Sequence, residues 1–133
     1  MKSILIFTFA ILLYSILSSC SNNVDQQIST DTFIGTWIES GYENSISVMA
    51  KSDSLVQDKY GFTFFAKGEF LERKNAGWCG TPPIAYDNFR GSWIKSCDSV
   101  IDIRVAFWGG QDTFSLVISS LTNSVFKYRK VKK

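Results

Sequence analysis

Apolar and polar side chains alternate with a period of two along much of the chain after residue 32. The clearest case is residues 100–108, where Ile101, Ile103, Val105 and Phe107 fall on one face and the residues between them on the other. This period is typical of a half-buried β-strand, because successive side chains point to opposite faces of a sheet. No stretch of ten residues follows the helical period convincingly. The pattern therefore predicts an all-β domain.

Turn-forming residues divide this domain into about eight strands. The predicted strands span residues 33–40, 46–50, 60–65, 69–74, 88–95, 100–108, 113–121 and 125–131. Gly68 and the pair Gly109-Gly110 supply the backbone freedom that tight hairpins require. Residues 52–58 are ambiguous, and residues 75–86 are expected to form a loop. Because closure pairs the exposed edges of a long sheet, we expect an antiparallel up-and-down meander that closes into a barrel.

The first 19 residues have the organisation of an export signal. A short basic start precedes an apolar stretch at residues 4–17, which is too short to span a bilayer, since that takes about 20 residues. Small residues then lead into Cys20, and Leu17-Ser18-Ser19-Cys20 resembles the lipobox of bacterial lipoproteins. The resemblance implies that residues 1–19 are removed, that Cys20 is lipidated and that the acyl chains hold the protein at a membrane. An ordinary secretory signal and a retained membrane helix are the alternatives.

Residues 20–31 are expected to form the lipidated cysteine and a polar, flexible tether, followed by the folded domain at residues 32–133. Ser21 stands where, in some Gram-negative bacteria, an aspartate would indicate retention at the inner membrane. The expected location is therefore the bacterial cell envelope, in the outer rather than the inner membrane.

A short motif on the first predicted strand resembles a family signature. Gly35-Thr36-Trp37 is similar to the Gly-x-Trp signature of lipocalins, and residues 60–93 resemble small lipocalin-like lipoproteins of bacterial envelopes. In lipocalins the tryptophan closes one end of the barrel, and an arginine of the last strand packs across its ring. The resemblance implies that Gly35, Trp37 and Arg129 form the barrel closure, with Lys127 and Lys130 as rivals for the cation.

Two cysteines other than Cys20 lie in the domain. In an oxidising compartment Cys79 and Cys97 suggest a disulfide, although a hairpin between them would place them near opposite ends of the sheet. Two separate buried thiols are the alternative. The chain contains no histidine, so no imidazole is available to activate a catalytic cysteine.

Aromatic residues of the predicted loop and sheet are candidates for ligand binding. We expect a pocket at the barrel end away from Trp37, bordered by Trp78, Tyr86 and Trp93, with a plug that caps the barrel as the alternative role of the loop. The other inward candidates are large enough to fill an eight-stranded interior. Glu72 is expected at a solvated rim. An inward Glu72 would instead need a partner such as Arg104 or Lys74.

Charge and composition exclude several classes of function. With 14 Lys and Arg against 12 Asp and Glu, the chain lacks the strong positive field of a nucleic-acid-binding protein, and the basic residues at 127–133 are expected to form a solvated edge and tail. The sequence has no phosphate-binding glycine loop, no catalytic triad pattern and no motif for a metal or another cofactor, so we expect no enzyme. The sequence favours non-catalytic binding of a small apolar ligand near the membrane. The alternative is a protein- or glycan-interaction module with a filled barrel core.

Overall fold

The computed structural model describes residues 29–133, and the predictions for the signal segment, Cys20 and most of the tether lie outside this range. The described part begins with a single helical turn and continues as eight strands. The elements are α1 (Thr30–Phe33), β1 (Gly35–Glu43), β2 (Ile46–Ser52), β3 (Gly61–Phe64), a short turn (Ala66–Gly68), β4 (Glu69–Asn75), β5 (Tyr86–Cys97), β6 (Val100–Phe107), β7 (Gly110–Leu121) and β8 (Val125–Lys132). Phe33, expected in the first strand, belongs to α1.

All neighbouring strands are antiparallel, and the sheet closes on itself. From β3 to β8 each strand pairs with the next one along the chain. The circle is completed by β1, which pairs with β2 and β3, and by β2, which pairs with β8. The predicted all-β, eight-stranded antiparallel barrel is confirmed.

The first hairpin is inserted in the barrel in reverse order, so that β1 lies between β2 and β3. Residues 53–60 must therefore cross β1 to reach β3. Gly61 makes room for the crossing: a Cβ there would lie 2.7 Å from Cδ1 of Ile38 and 3.2 Å from Cδ2 of Leu55. The strand pattern predicts closure, but it does not reveal this crossing, because most of the residues that form it belong to the ambiguous segment 52–58.

The barrel has two different ends. We call the closed end the one that carries α1, the start of β1 and the β3–β4, β5–β6 and β7–β8 connections. We call the open end the one that carries the β1–β2 turn, the loop at residues 76–85 and the β6–β7 turn. Strand directions and register place these connections together.

Aromatic rings fill the interior at the closed end. Phe33 of α1 lies inside the barrel, with its ring centroid 5.2 Å from that of Phe64 and 5.0 Å from that of Trp93. The indole of Trp37 donates a hydrogen bond to the carbonyl of Phe33 at 2.7 Å, and its ring meets Phe126 edge-on. The buried core members are Phe33, Trp37, Met49, Phe62, Phe64, Phe70, Trp93, Ile101, Ile103, Val105, Phe114, Leu116, Ile118, Phe126 and Tyr128.

The cation on Trp37 comes from a different strand than the lipocalin resemblance implies. Lys51 places its Nζ 4.3 Å from the centroid of the Trp37 ring and donates a hydrogen bond to the carbonyl of Ile34. Arg129 is exposed and lies in register with Val117 on β7. Because β2 is inserted between β1 and β8, the last strand does not pair with β1, and a β2 residue takes the position over the Trp37 ring.

The other two closure predictions fit the structure. Trp37 is buried at the closed end. Gly35 has a φ of 119°, a value that side-chain-bearing residues rarely adopt. A Cβ at Gly35 would also lie 2.7 Å from Nζ of Lys51, so the absence of a side chain leaves space for the cation.

Candidate ligand-binding site

A cavity of about 420 Å³ lies at the open end of the barrel. Its walls come from four strands, the β6–β7 turn and Gly77 of the loop at residues 76–85. The residues that define it are Lys74 on β4, Phe107 at the end of β6, Trp108 in the β6–β7 turn, Asp112 on β7, and Lys130 and Lys132 on β8. Lys74 continues the inward face that Phe70 begins, because side chains two apart on a strand share a face. Lys130 and Lys132 continue the inward face of Tyr128 in the same way.

A buried carboxylate lies behind the cavity wall. Glu72 is only 1% exposed. Its Oε1 accepts a hydrogen bond from the hydroxyl of Tyr60 at 2.8 Å, and its Oε2 lies 2.5 Å from Nζ of Lys74. The expectation of a solvated rim for Glu72 is therefore wrong, and the alternative of an inward Glu72 paired with Lys74 is confirmed. A buried charge requires such partners, since its desolvation is otherwise uncompensated.

Two phenols close this polar layer towards the aromatic core. Burial raises the pKa of Tyr128 to about 12, and the carboxylates of Glu72 and Glu39 contribute to the increase. Burial also raises the pKa of Tyr60 well above its ordinary value, with further contributions from Tyr128 and Glu72. Both phenols thus keep their protons at neutral pH, which allows Tyr60 to donate to Glu72.

Lys130 is held over an aromatic ring at the cavity wall. Its Nζ lies 3.6 Å from the centroid of Phe114 and 3.7 Å from Oδ2 of Asp112. A cation at this distance from a ring face is attracted by the negative potential of the π-system. The contact fixes the position of the ammonium group within the mouth of the barrel.

The charges around Lys130 act on it in opposite directions. Its pKa lies below the ordinary lysine value, first because burial penalises the charged form. The carboxylates of Glu72 and Asp112 oppose this shift in pKa, whereas the ammonium groups of Lys74 and Lys132 add to it. Lys74 and Lys132 are therefore close enough to Lys130 to repel its ammonium group.

Two aromatic side chains form the apolar part of the cavity wall. Trp108 is 55% exposed, and its ring meets that of Phe107 edge-on at 5.6 Å. The neighbouring turn needs a glycine, because a Cβ at Gly109 would lie 2.5 Å from the Phe107 ring. The cavity thus combines exposed aromatic area with fixed charges, a combination found in small-molecule sites.

The structure separates the three aromatic residues predicted to border the pocket. Trp78 lies in the loop at residues 76–85 and is 81% exposed. Tyr86 is the first residue of β5 and points outward. It lies three residues before the inward Phe89, and side chains an odd number of residues apart on a strand point to opposite faces. Trp93 is buried at the closed end and donates a hydrogen bond to the carbonyl of Phe65 at 2.9 Å. None of the three lines this cavity, although the cavity does lie at the predicted end, away from Trp37.

The charged residues of the cavity continue strand faces that are visible in the sequence. Extending the inward face of residues 126 and 128 by one and two steps leads to Lys130 and Lys132, and the same step from Phe70 leads through Glu72 to Lys74. Charged residues are rarely buried without partners, which is why the C-terminal lysines are expected at a solvated edge from the sequence alone. The alternation itself is the signal that could have placed them at the mouth of the barrel.

The predicted disulfide between Cys79 and Cys97 is not formed, because Cys79 is a free, exposed thiol. Cys79 lies in the loop at the open end that precedes β5, and Cys97 is the last residue of this 12-residue strand, at the closed end. Hydrogen bonds from the backbone and side chain of Thr81 lower the pKa of the Cys79 thiol.

No protein-family model, curated protein or solved structure matches this chain. Within residues 29–133, no group of three or more His, Cys, Asp and Glu side chains is placed to hold a metal ion. The helical residues in this range do not form a segment with the length and hydropathy needed to cross a membrane.

Proposed function

We propose that the protein is a non-catalytic binding protein of the bacterial cell envelope, which takes up a small ligand with an apolar body at the open end of its barrel. The observation that carries the proposal is the cavity of about 420 Å³ beside Phe107 and Trp108. Aromatic rings occupy the half of the barrel at the closed end, so the ligand lies only in the half at the open end.

The size of the cavity suits a compact ligand. At about 30 Å³ per water molecule in the liquid, 420 Å³ corresponds to roughly 14 waters. Pockets for small molecules are commonly of this size and are lined by aromatic residues together with a few polar groups. A long acyl chain that runs down the barrel axis does not fit, because Phe62, Phe64 and Phe126 occupy the axis.

Ligand binding is tested with a neutral fluorescent probe, N-phenyl-1-naphthylamine, titrated into the mature chain carrying Cys20→Ser. We expect saturable binding that Phe107→Ala weakens at least about fivefold and that Trp78→Ala leaves unchanged. Trp78 is a matched aromatic control because it is exposed outside the cavity. Absence of saturable binding by the folded protein would contradict the proposal.

A second candidate function is a protein- or glycan-interaction module that uses the loop at residues 76–85. The observation in its favour is Trp78, which is 81% exposed, since exposed aromatic residues are common at contact surfaces. Loss of probe binding in Trp78→Ala with retention in Phe107→Ala would favour this candidate.

The membrane location in this proposal depends on lipidation of Cys20, which would anchor the protein in the outer membrane. Two or more acyl chains give stable attachment, whereas one chain alone binds only reversibly. Cys20→Ala should move the protein from the membrane fraction to the soluble fraction. Retention of this variant in membranes after a high-salt wash would contradict lipid anchoring, independently of the result for ligand binding.

A further inference from the structure

We infer that the ligand is an anion: a compact molecule whose flat apolar body lies against Phe107 and Trp108 and whose carboxylate, sulfonate or phosphate group lies between Lys74, Lys130 and Lys132. The inference rests on the proposed function and adds the chemical class of the ligand. Three separate observations carry it: the balance of charge, the fixed position of Lys74 and the hydrogen-bonding capacity of Lys130.

Positive charge is in excess at the cavity. Three lysine ammonium groups face the two carboxylates of Glu72 and Asp112. Glu72 is paired with Lys74, and Asp112 lies within ion-pair distance of Lys130. Lys132 has no ion-pair partner among the described residues, so one positive charge remains uncompensated. A bound anion relieves the mutual repulsion of the lysines, whereas a bound cation increases it.

Lys74 is held in place for this role. Tyr60 and Lys74 bind the two oxygens of the buried Glu72 carboxylate, which fixes the ammonium group at the cavity wall. The Lys74 side chain is 18% exposed and lines the cavity. A lysine ammonium has three N–H donors, and the contact with Glu72 uses one of them. The remaining donors are available to a ligand in a partly desolvated site, where an ionic contact is stronger than in bulk water.

Lys130 also has N–H donors that make no hydrogen bond within the described part of the chain. Its ammonium lies over the Phe114 ring, and the 3.7 Å separation from Asp112 is longer than a hydrogen bond. Among the described residues it donates no hydrogen bond to a side chain or a carbonyl. Solvent or a ligand must therefore satisfy this half-buried ammonium group, and an anion does so most strongly.

The apolar wall selects the body of the ligand. Phe107 and Trp108 present rings at the same cavity that holds the lysines. A flat apolar or aromatic body stacks on such rings while its charged end reaches β4 and β8. A small inorganic anion would use the lysines alone and leave the aromatic wall exposed.

The inference is tested with two probes that share an anilinonaphthalene skeleton and differ in charge. 8-Anilino-1-naphthalenesulfonate carries a sulfonate, and N-phenyl-1-naphthylamine does not. We expect the mature Cys20→Ser chain to bind the sulfonate at least about tenfold more tightly. The double variant Lys130→Gln/Lys132→Gln should lose about tenfold of the affinity for the sulfonate and change the affinity for the neutral probe less than twofold.

The control is Lys67→Gln, which removes one of the two positive charges that the double variant removes, but at the closed end, where Lys67 is exposed. It should leave the affinity for both probes unchanged. Inorganic phosphate, added as a competitor, should displace the sulfonate only at much higher concentration than 1-naphthalenesulfonate does.

The possible failures are distinguishable. If both probes bind equally well and the glutamine variants bind like the parent, the anion inference is overturned and the proposed function stands. An equal loss for Lys67→Gln would show that net charge rather than the site attracts the sulfonate, which also overturns the inference. If neither probe binds saturably, the proposed function itself fails. Thermal unfolding of each variant establishes that a loss of binding does not come from a loss of folding.

Discussion

The two ends of this barrel are built from the same strands, but their inward residues have opposite character. Along β8 the inward face passes from Phe126 and Tyr128 at the closed end to Lys130 and Lys132 at the open end. At the closed end rings contact rings, and at the open end ammonium groups contact a carboxylate and a ring.

The difference shows that a barrel of this size can keep its packed core in one half. Buried aromatic rings at the closed end contribute strongly to the hydrophobic stabilisation, since each buried ring removes a large apolar surface from water. The open half can then hold charged groups, whose partial burial contributes little to stability but provides specific contacts. We therefore expect substitutions at the closed end, and those that break the buried Glu72–Lys74 pair, to change the stability, whereas substitutions of exposed cavity residues at the open end should change mainly the binding.

Trp37→Ala should have the largest effect on stability. Trp37 is buried, donates a hydrogen bond to Phe33 and packs edge-on against Phe126. Removing a buried tryptophan costs about 3–5 kcal/mol, because the cavity it leaves adds to the lost burial. Urea unfolding followed by circular dichroism measures the change. A loss smaller than about 1 kcal/mol would show that the closed end is not the packed half.

Glu72→Gln should have the next largest effect, with a loss of about 1–3 kcal/mol. The change leaves the mostly buried Lys74 without its charged partner, and such an unpaired charge is costly unless water reaches it. Glu69→Gln on the same strand is the matched control, because Glu69 is exposed and should change the stability less than about 0.5 kcal/mol. Equal losses for the two variants in chemical unfolding would argue against an important buried pair.

The sequence predicts the barrel better than it predicts the site, for physical reasons. Period-two alternation depends on local strand geometry, and it is enough to identify eight strands and to predict their closure. The position of Lys51 over Trp37 depends instead on the reversed order of the first hairpin, which is a non-local property. The sequence alone places neither Lys51 beside Trp37 nor the crossing of residues 53–60.

For the candidate site, the sequence predicts the correct end of the barrel but the wrong residues. Trp93 is a candidate by residue type, although its position on β5 places it at the closed end. Glu72 is expected in solvent because Tyr60, whose hydroxyl donates to its carboxylate, approaches it only in the folded chain. Their proximity arises from barrel register, which the pattern of a single strand does not contain.

Lys51→Met tests how much the cation over Trp37 contributes to the stability of the closed end. The substitution keeps an unbranched side chain over Trp37 but removes the ammonium group and its hydrogen bond to the carbonyl of Ile34. A cation over a tryptophan ring contributes about 0.5–2 kcal/mol, and we expect a loss in this range. Arg129→Met is the control: it should change the unfolding free energy by less than about 0.5 kcal/mol, since Arg129 is exposed. A larger loss for Arg129→Met would restore the arginine as the closing cation.

Trp108→Ala should have the smallest effect on stability and so completes the comparison with Trp37→Ala. Trp108 is more than half exposed, and its ring approaches that of Phe107 edge-on. Because the substitution removes little buried area, we expect the unfolding free energy to change by less than about 1 kcal/mol. The affinity for 8-anilino-1-naphthalenesulfonate should nevertheless fall about tenfold, since the aromatic wall of the cavity is lost. The same chemical change would then affect stability at one end of the barrel and binding at the other. If Trp108→Ala destabilises the protein as much as Trp37→Ala, or leaves probe binding intact, the two ends do not divide these roles.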